Sequence, residues 1–204
     1  MLLDHGADTE SIANNCTPLL ISCFHNRLEA ARLLLERDAK GRHGATALLL
    51  ACSNENIEFV WLLLDRGANM PIQENKMTLL HIAVGAGFFE VAQLLLDRDC
   101  DIKATTKDNE ATPLHTAYTI GHMGIARLLL DRGANLDAKN KAKWTPLHLA
   151  CKHKKLSIVQ LMFGRGADIE AKTPKGMTPL HISCIDDHPV TVRLLLKRVG
   201  TWKP

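Results

Sequence analysis

The sequence predicts an all-α solenoid, in which short helix–turn–helix repeats stack along one axis. A motif that begins Thr-Pro-Leu-His recurs with threonines at positions 17, 46, 78, 112, 145 and 178, which are 29 to 34 residues apart. Each copy is followed by a cluster of apolar residues at helical spacing. Aromatic residues make up only 4% of the chain, which suits thin, closely packed helices. Repetition of this kind indicates one elongated array over residues 1–204 rather than globular domains.

The first helix of each repeat is predicted to begin at the motif threonine. The threonine hydroxyl can accept a backbone N–H of the first turn, and proline suits the next position because no donor is needed there. Repeats two and three have Ala47 and Leu79 in place of that proline. In the clearest copies the helix is expected to end near Gly87 or Gly121, because glycine adopts the left-handed C-cap conformation freely.

The second helix carries an apolar stripe, such as the leucine triplet at 128–130 preceded by Ile125. A single repeat is too thin to bury this stripe, so the next repeat must cover it. An arginine lies twenty residues after every motif threonine: Arg37, Arg66, Arg98, Arg132, Arg165 and Arg198. We interpret it as a cation at a helix C-terminus, where the dipole contributes roughly 0.3–1 kcal/mol. The alternative is a basic ladder for an anionic partner.

The signature over residues 112–117, Thr-Pro-Leu-His-Thr-Ala, at a period near 33 resembles the ankyrin repeat. The resemblance covers nearly the whole chain, with repeats starting near residues 15, 44, 76, 110, 143 and 176 after a truncated half-repeat over residues 1–14. It implies an ankyrin-repeat solenoid whose repeats are joined by β-hairpin-like fingers. In that family the signature histidine holds adjacent repeats together, and here it is His81, His115, His148 and His181.

The fingers vary in length and in one glycine position. A glycine two places before the motif threonine is present only in repeats two and six, as Gly44 and Gly176. The same place is taken elsewhere by other residues: Asn15, Lys76, Glu110 and Lys143. We therefore expect fingers one, three, four and five to be less regular.

Cysteine usage indicates free thiols in an intracellular, cytoplasmic protein, with the nucleus as a second possible compartment. Four cysteines share the position six residues after the motif threonine: Cys23, Cys52, Cys151 and Cys184. Equivalent positions in stacked repeats lie roughly 8–10 Å apart, whereas a disulfide needs Cα atoms within about 7 Å. We expect all six thiols to be free. The N-terminus lacks the basic and apolar segments of a secretory signal.

The sequence contains none of the motifs that would indicate catalysis or metal binding. It lacks a phosphate loop, an H-E-x-x-H zinc motif and a G-x-S-x-G nucleophile motif. The signature histidines occur once per repeat, whereas metal ligands must converge on one point. We therefore expect a non-enzyme without a cofactor, a metal or a small-molecule substrate.

The expected function is protein–protein interaction, as an adaptor, scaffold or regulatory subunit in signalling that binds a partner through its concave face. The resemblance implies that the finger tips and the exposed side of the first helix make the contacts. By register, repeats five and six contribute Lys141, Lys143, Trp144, Lys152, His153, Lys175 and Met177. Asn109 and Met77 flank them in repeats four and three.

The charge distribution favours an acidic partner. Between residues 137 and 176 nine basic residues are opposed by only three acidic ones, although the net charge of the chain is +3. The basic residues are Lys139, Lys141, Lys143, Lys152, Lys154, Lys155, Arg165, Lys172 and Lys175. Charge would steer the encounter, and Trp144 and Met177 would supply apolar contact. The alternative is a solvated lysine face, with Trp144 packed on a neighbouring finger.

Two other functions remain open on the sequence. The same lysines could bind nucleic acid or acidic lipid head groups, although a single interleaved aromatic residue disfavours this reading. If the chain instead binds a protein, membrane contact is expected only indirectly, through that partner. The array could also be a structural spacer within a longer protein.

Overall fold

The computed structural model describes residues 8–13, 16–36, 44–68 and 75–199. Within these ranges the chain forms twelve α-helices and no β-strand, arranged as six consecutive pairs. The first helices of the pairs are α1 (Pro18–Phe24), α3 (Gly44–Ser53), α5 (Leu79–Ala86), α7 (Pro113–Ile120), α9 (Pro146–Lys152) and α11 (Pro179–Ile185). The second helices are α2 (Leu28–Glu36), α4 (Ile57–Asp65), α6 (Phe89–Asp97), α8 (Met123–Asp131), α10 (Leu156–Gly164) and α12 (Pro189–Val199).

The helices form two layers that run the length of the array. Each first helix packs against the first helix of the next pair, and each second helix packs against the next second helix. One hydrophobic cluster extends from Leu19 in α1 to Leu195 in α12. Because contacts join neighbouring pairs, stability is a sum over adjacent repeats. The prediction of an all-α solenoid is confirmed.

Five first helices start directly after the motif threonine, as the sequence predicts. The prediction is wrong for Thr46, which lies inside α3 because that helix already begins at Gly44. Elsewhere a following proline keeps the threonine extended, since the residue before proline avoids helical dihedrals. Thr78 also lacks a following proline, but a reciprocal hydrogen-bond pair with His81 holds it in place. Repeat two has Leu49 in that position and cannot form the pair.

Fingers three, four and five keep a left-handed backbone at the position two residues before the motif threonine, although glycine is absent there. Lys76, Glu110 and Lys143 have φ of 58°, 53° and 59°, in the same left-handed region as Gly176 at 73°. Asn15 lies outside the described residues. A non-glycine residue in this region costs roughly 1–2 kcal/mol, so these fingers keep their shape against local strain.

Replacing Glu110 with glycine should stabilise the protein. Glu110 is exposed and left-handed, so glycine removes the steric conflict of a Cβ atom while keeping the backbone N–H that bonds Thr106. Glu110→Ala is the matched control, because it removes the same carboxylate but keeps the Cβ atom. We expect the glycine variant to exceed the alanine variant by about 1 kcal/mol in urea unfolding. Equal stabilities would show that the left-handed position carries no strain.

Ion pairs between consecutive repeats account for three of the six recurrent arginines. Three arginines bond the acidic residue that ends the second helix of the preceding repeat: Arg66 with Glu36 at 3.9 Å, Arg132 with Asp97 at 2.7 Å and Arg165 with Asp131 at 2.9 Å. The pairs are partly exposed, so each contributes at most about 1 kcal/mol. They favour a structural role over a basic ladder.

All six cysteines are free thiols. Cys23, Cys52 and Cys151 are buried in the core, where desolvation raises the pKa of Cys52 to about 12. Cys184 is exposed. The half-repeat predicted at the N-terminus falls largely on residues 1–7 and 14, outside the described residues.

Candidate functional site

Histidines join repeats three to six through hydrogen bonds. Nδ1 of His115 accepts the backbone N–H of Thr112 at 3.2 Å, and its Nε2 lies 3.2 Å from the carbonyl oxygen of Trp144 in the next repeat. Because Nδ1 is an acceptor, the proton is on Nε2, which donates to that oxygen. We call such a contact a rung. Two further rungs have Nε2–oxygen distances of 3.0 and 3.2 Å: His81 with Ala111 and His148 with Met177.

The rung histidines are structural and neutral. Burial lowers the pKa of His81, His115 and His148, although the carbonyl acceptors oppose this shift. His181 makes the same contact with its own threonine, but its exposed ring has no bridging carbonyl among the described residues. Over that part of the chain no group of three histidine, cysteine or acidic residues could hold a metal.

The rung at His115 fixes the backbone of Trp144 where repeats four and five meet. The Trp144 carbonyl also accepts the N–H of Asn140 at 3.0 Å, and the Trp144 N–H donates to the Asn140 side chain at 2.9 Å. The indole is half-buried. It lies 5.9 Å from the His148 ring, with the Lys152 ammonium 5.2 Å from its centroid. Trp144 therefore packs on its own first helix and leaves part of its ring available.

The lysines around Trp144 are exposed and have no acidic partner. Lys141, Lys143, Lys152 and Lys175 are exposed, and none forms an ion pair with a described residue. The pKa of His153 reflects the positive charge around it. Partial burial lowers this pKa, and the charges of Lys152 and Lys155 lower it further, whereas the charge of Asp186 opposes the shift. Acidic side chains in the described part of the chain therefore leave the positive charge here largely uncompensated.

The three remaining predicted residues, Met177, Asn109 and Met77, lie in different repeats. Met177 is half-buried on the core and supplies the carbonyl of the third rung. The Asn109 side-chain oxygen accepts the Ala111 N–H at 3.0 Å and the Thr106 hydroxyl at 2.7 Å, so it stabilises its own finger. Met77 belongs to repeat three, separated from Trp144 by repeat four. The structure thus groups the residues of repeats five and six and leaves Met77 apart.

Two exposed apolar side chains occupy register positions of the same recognition surface. Ile120 is 41% exposed and Ile185 is 68% exposed. They occupy the ends of the first helices in repeats four and six, on either side of Lys152. Ile185 lies seven residues after its motif threonine, as Lys152 does, and Ile120 lies eight residues after its own, as His153 does. The repeat register alone therefore places both on the same side of the array.

Comparison with known families agrees with this architecture. A model described as ankyrin repeats (3 copies) matches residues 37–106 and 80–173, and one described as ankyrin repeat matches residues 175–201. Among curated proteins, none matches the chain. No helix in the described ranges is long and apolar enough to cross a membrane.

Proposed function

The chain belongs to the ankyrin repeat family, whose members are generally non-catalytic protein–protein interaction modules, and on that premise we propose that it is an adaptor for an acidic protein segment. The proposed site is the basic surface, which we define as Lys141, Lys143, Trp144, Lys152, His153, Lys175 and Met177. Placement of the adaptor in the cytoplasm is part of the same proposal.

The observation that carries the proposal is a set of exposed lysines, without an ion pair to any described residue, near a half-buried tryptophan. Like charges held close together repel, and a partner with carboxylates relieves that repulsion on binding. Opposite charge also raises the rate of encounter, so acidic segments would be selected kinetically.

Apolar contact supplies the rest of the binding energy. Tryptophan is enriched at the energetic centres of interfaces, where its loss costs roughly 2 kcal/mol or more. Ile120 and Ile185 lie beside the lysines and are exposed. The matching ligand is therefore a segment that carries Asp or Glu on both sides of an apolar anchor.

The test is affinity capture from cytosolic lysate, followed by binding measurements with the captured protein and with an acidic peptide that contains one leucine or phenylalanine. The surface variant is Lys143→Glu/Trp144→Ala. Lys103→Glu, which changes an exposed lysine in another loop, controls for net charge. We expect the surface variant to bind at least about 30-fold more weakly, and Lys103→Glu to bind nearly as the wild type does.

Other outcomes would replace the proposal. Equal binding by the surface variant and the wild type would place the site elsewhere. Tighter binding of single-stranded DNA or of vesicles with acidic lipid, with affinity falling steeply as salt rises, would identify an anion-binding module. Absence of any captured protein together with no peptide binding would favour a structural spacer.

A further inference from the structure

We infer that the second helices of repeats one to three form a separate docking surface, which binds a basic amphipathic segment of a protein partner. The surface is a groove of about 430 Å³ lined by Leu28, Arg32, Ile57, Glu58, Trp61, Leu62 and Leu94. We call it the acidic groove. It lies on the layer of second helices and shares no residue with the basic surface, so it does not depend on the proposed function.

Trp61 is the residue that marks this groove. It lies fifteen residues after the motif threonine of its repeat and is 47% exposed. The same position is polar in every other repeat: Arg32, Gln93, Arg127, Gln160 and Arg193. Because the other five repeats have a polar residue at this position, the fold does not require an aromatic residue there. An exposed tryptophan without a packing role is typical of an interface anchor.

Neighbouring side chains extend the apolar area around Trp61. Ile57 lies one turn earlier on α4 and is 38% exposed. Residues four apart share one side of a helix, so Ile57 and Trp61 face the same way. Leu28 and Leu94, on the adjacent helices α2 and α6, are half-buried against the core. The groove therefore crosses three second helices, which is enough to seat a short helix.

The charge beside the groove decides the chemistry of its occupant. Helices α2, α4 and α6 carry six acidic residues and one basic residue, Arg32. The acidic residues are Glu29, Glu36, Glu58, Asp65, Glu90 and Asp97, of which Glu36 and Asp97 are paired with Arg66 and Arg132. Helices α8, α10 and α12 contain one acidic residue, Asp131. Their basic residues are Arg127, Arg193, Lys197 and Arg198. The acidic character thus coincides with the Trp61 groove.

Three of these carboxylates form a column beside the groove. Glu29, Glu58 and Glu90 are exposed and occupy the same register position on α2, α4 and α6. A carboxylate oxygen of Glu29 lies 3.7 Å from Nε of Arg32, whereas Glu58 and Glu90 have no basic partner among the described residues. A segment with lysine or arginine flanking an apolar stripe would satisfy both features, because its cations meet the column while its stripe covers Trp61.

The assignment is tested on the full chain with Trp144→Phe and Trp202→Phe, which leaves Trp61 as the one tryptophan. The probe is a synthetic helical peptide with leucines on one face and lysines on the other. Its counterpart has glutamate in place of every lysine. We expect the lysine peptide to shift Trp61 emission to shorter wavelength with saturation, and the glutamate peptide to leave the emission unchanged.

The site is located by measuring the affinity of a labelled lysine peptide for the wild-type protein and for single variants of it. Trp61→Gln should weaken binding at least about tenfold, and the variant should fold because glutamine occupies this position in repeats three and five. Glu58→Lys should weaken it as well. Gln160→Ala, at the same position of repeat five, and Trp144→Ala, in the basic surface, should bind as the wild type does.

Unchanged peptide affinity in Trp61→Gln would overturn the assignment, as would equal binding of the glutamate peptide. Sedimentation that shows an associated wild type and a monomeric Trp61→Gln would also overturn it, because the groove would then be an interface between copies of this chain. Loss of acidic-segment binding in Trp144→Ala with retained lysine-peptide binding would show that the two surfaces act separately.

Discussion

Replacing His115 with alanine is expected to lower the free energy of unfolding by about 3 kcal/mol. His115 is fully buried and its ring connects repeat four to repeat five. Its removal leaves the Thr112 N–H and one acceptor site of the Trp144 carbonyl without their partners, and it also opens a cavity between the two repeats. Each unsatisfied buried group costs roughly 1–3 kcal/mol, so the sum exceeds the effect of an ordinary surface substitution.

His181→Ala is the matched control for this prediction. His181 contacts its own threonine in the same way, but it is exposed and makes no rung to a described residue. We expect its loss to cost no more than about 1 kcal/mol. Both variants can be compared by urea unfolding followed by helical circular dichroism. Similar losses in the two variants would show that the rung between repeats contributes little and that the contact with the threonine dominates.

Acidification from pH 6.5 to pH 5 should destabilise the protein through the three rungs. The pKa values of His81, His115 and His148 are lowered in the folded state, with burial as the main cause. Well above pH 6.5 these histidines are neutral both in the folded and in the unfolded chain. Below pH 6.5 the unfolded chain binds protons that the folded protein excludes. The free energy of unfolding therefore decreases as the pH is lowered. The limiting slope is about 1.4 kcal/mol per pH unit for each histidine.

The measurement is the free energy of unfolding at several pH values between 5 and 7.5. With three rungs the limiting slope approaches about 4 kcal/mol per pH unit. His115→Ala should reduce this slope by about one third, independently of its lower stability. Stability that is constant or rises toward pH 5 would contradict neutral, buried rung histidines.

Much of the fold could be predicted from the sequence because each repeat is a local unit. A threonine cap, a proline at the first helical position and a left-handed glycine at the end act within a few residues. Gly87 and Gly121 accordingly cap α5 and α7 with φ of 85° and 105°. The signature histidines and the basic character near Trp144 were also readable from spacing and residue type.

Contacts between repeats could not be read in the same way, because they join residues about thirty positions apart. The pairing of Arg132 with Asp97 appears only once the second helices are stacked. The hydrogen bond between His115 and the Trp144 carbonyl likewise joins residues 29 positions apart.

By itself, therefore, the sequence determined the repeat, its helices and the class of protein, since periodic local signals specify periodic local structure. The tertiary structure decided the rest. It holds Lys76, Glu110 and Lys143 in the left-handed region at the strained fingers, and it leaves Trp61 exposed in a groove beside unpaired carboxylates. Burial and charge compensation are properties of the stack, and only the packing of neighbouring repeats fixes them.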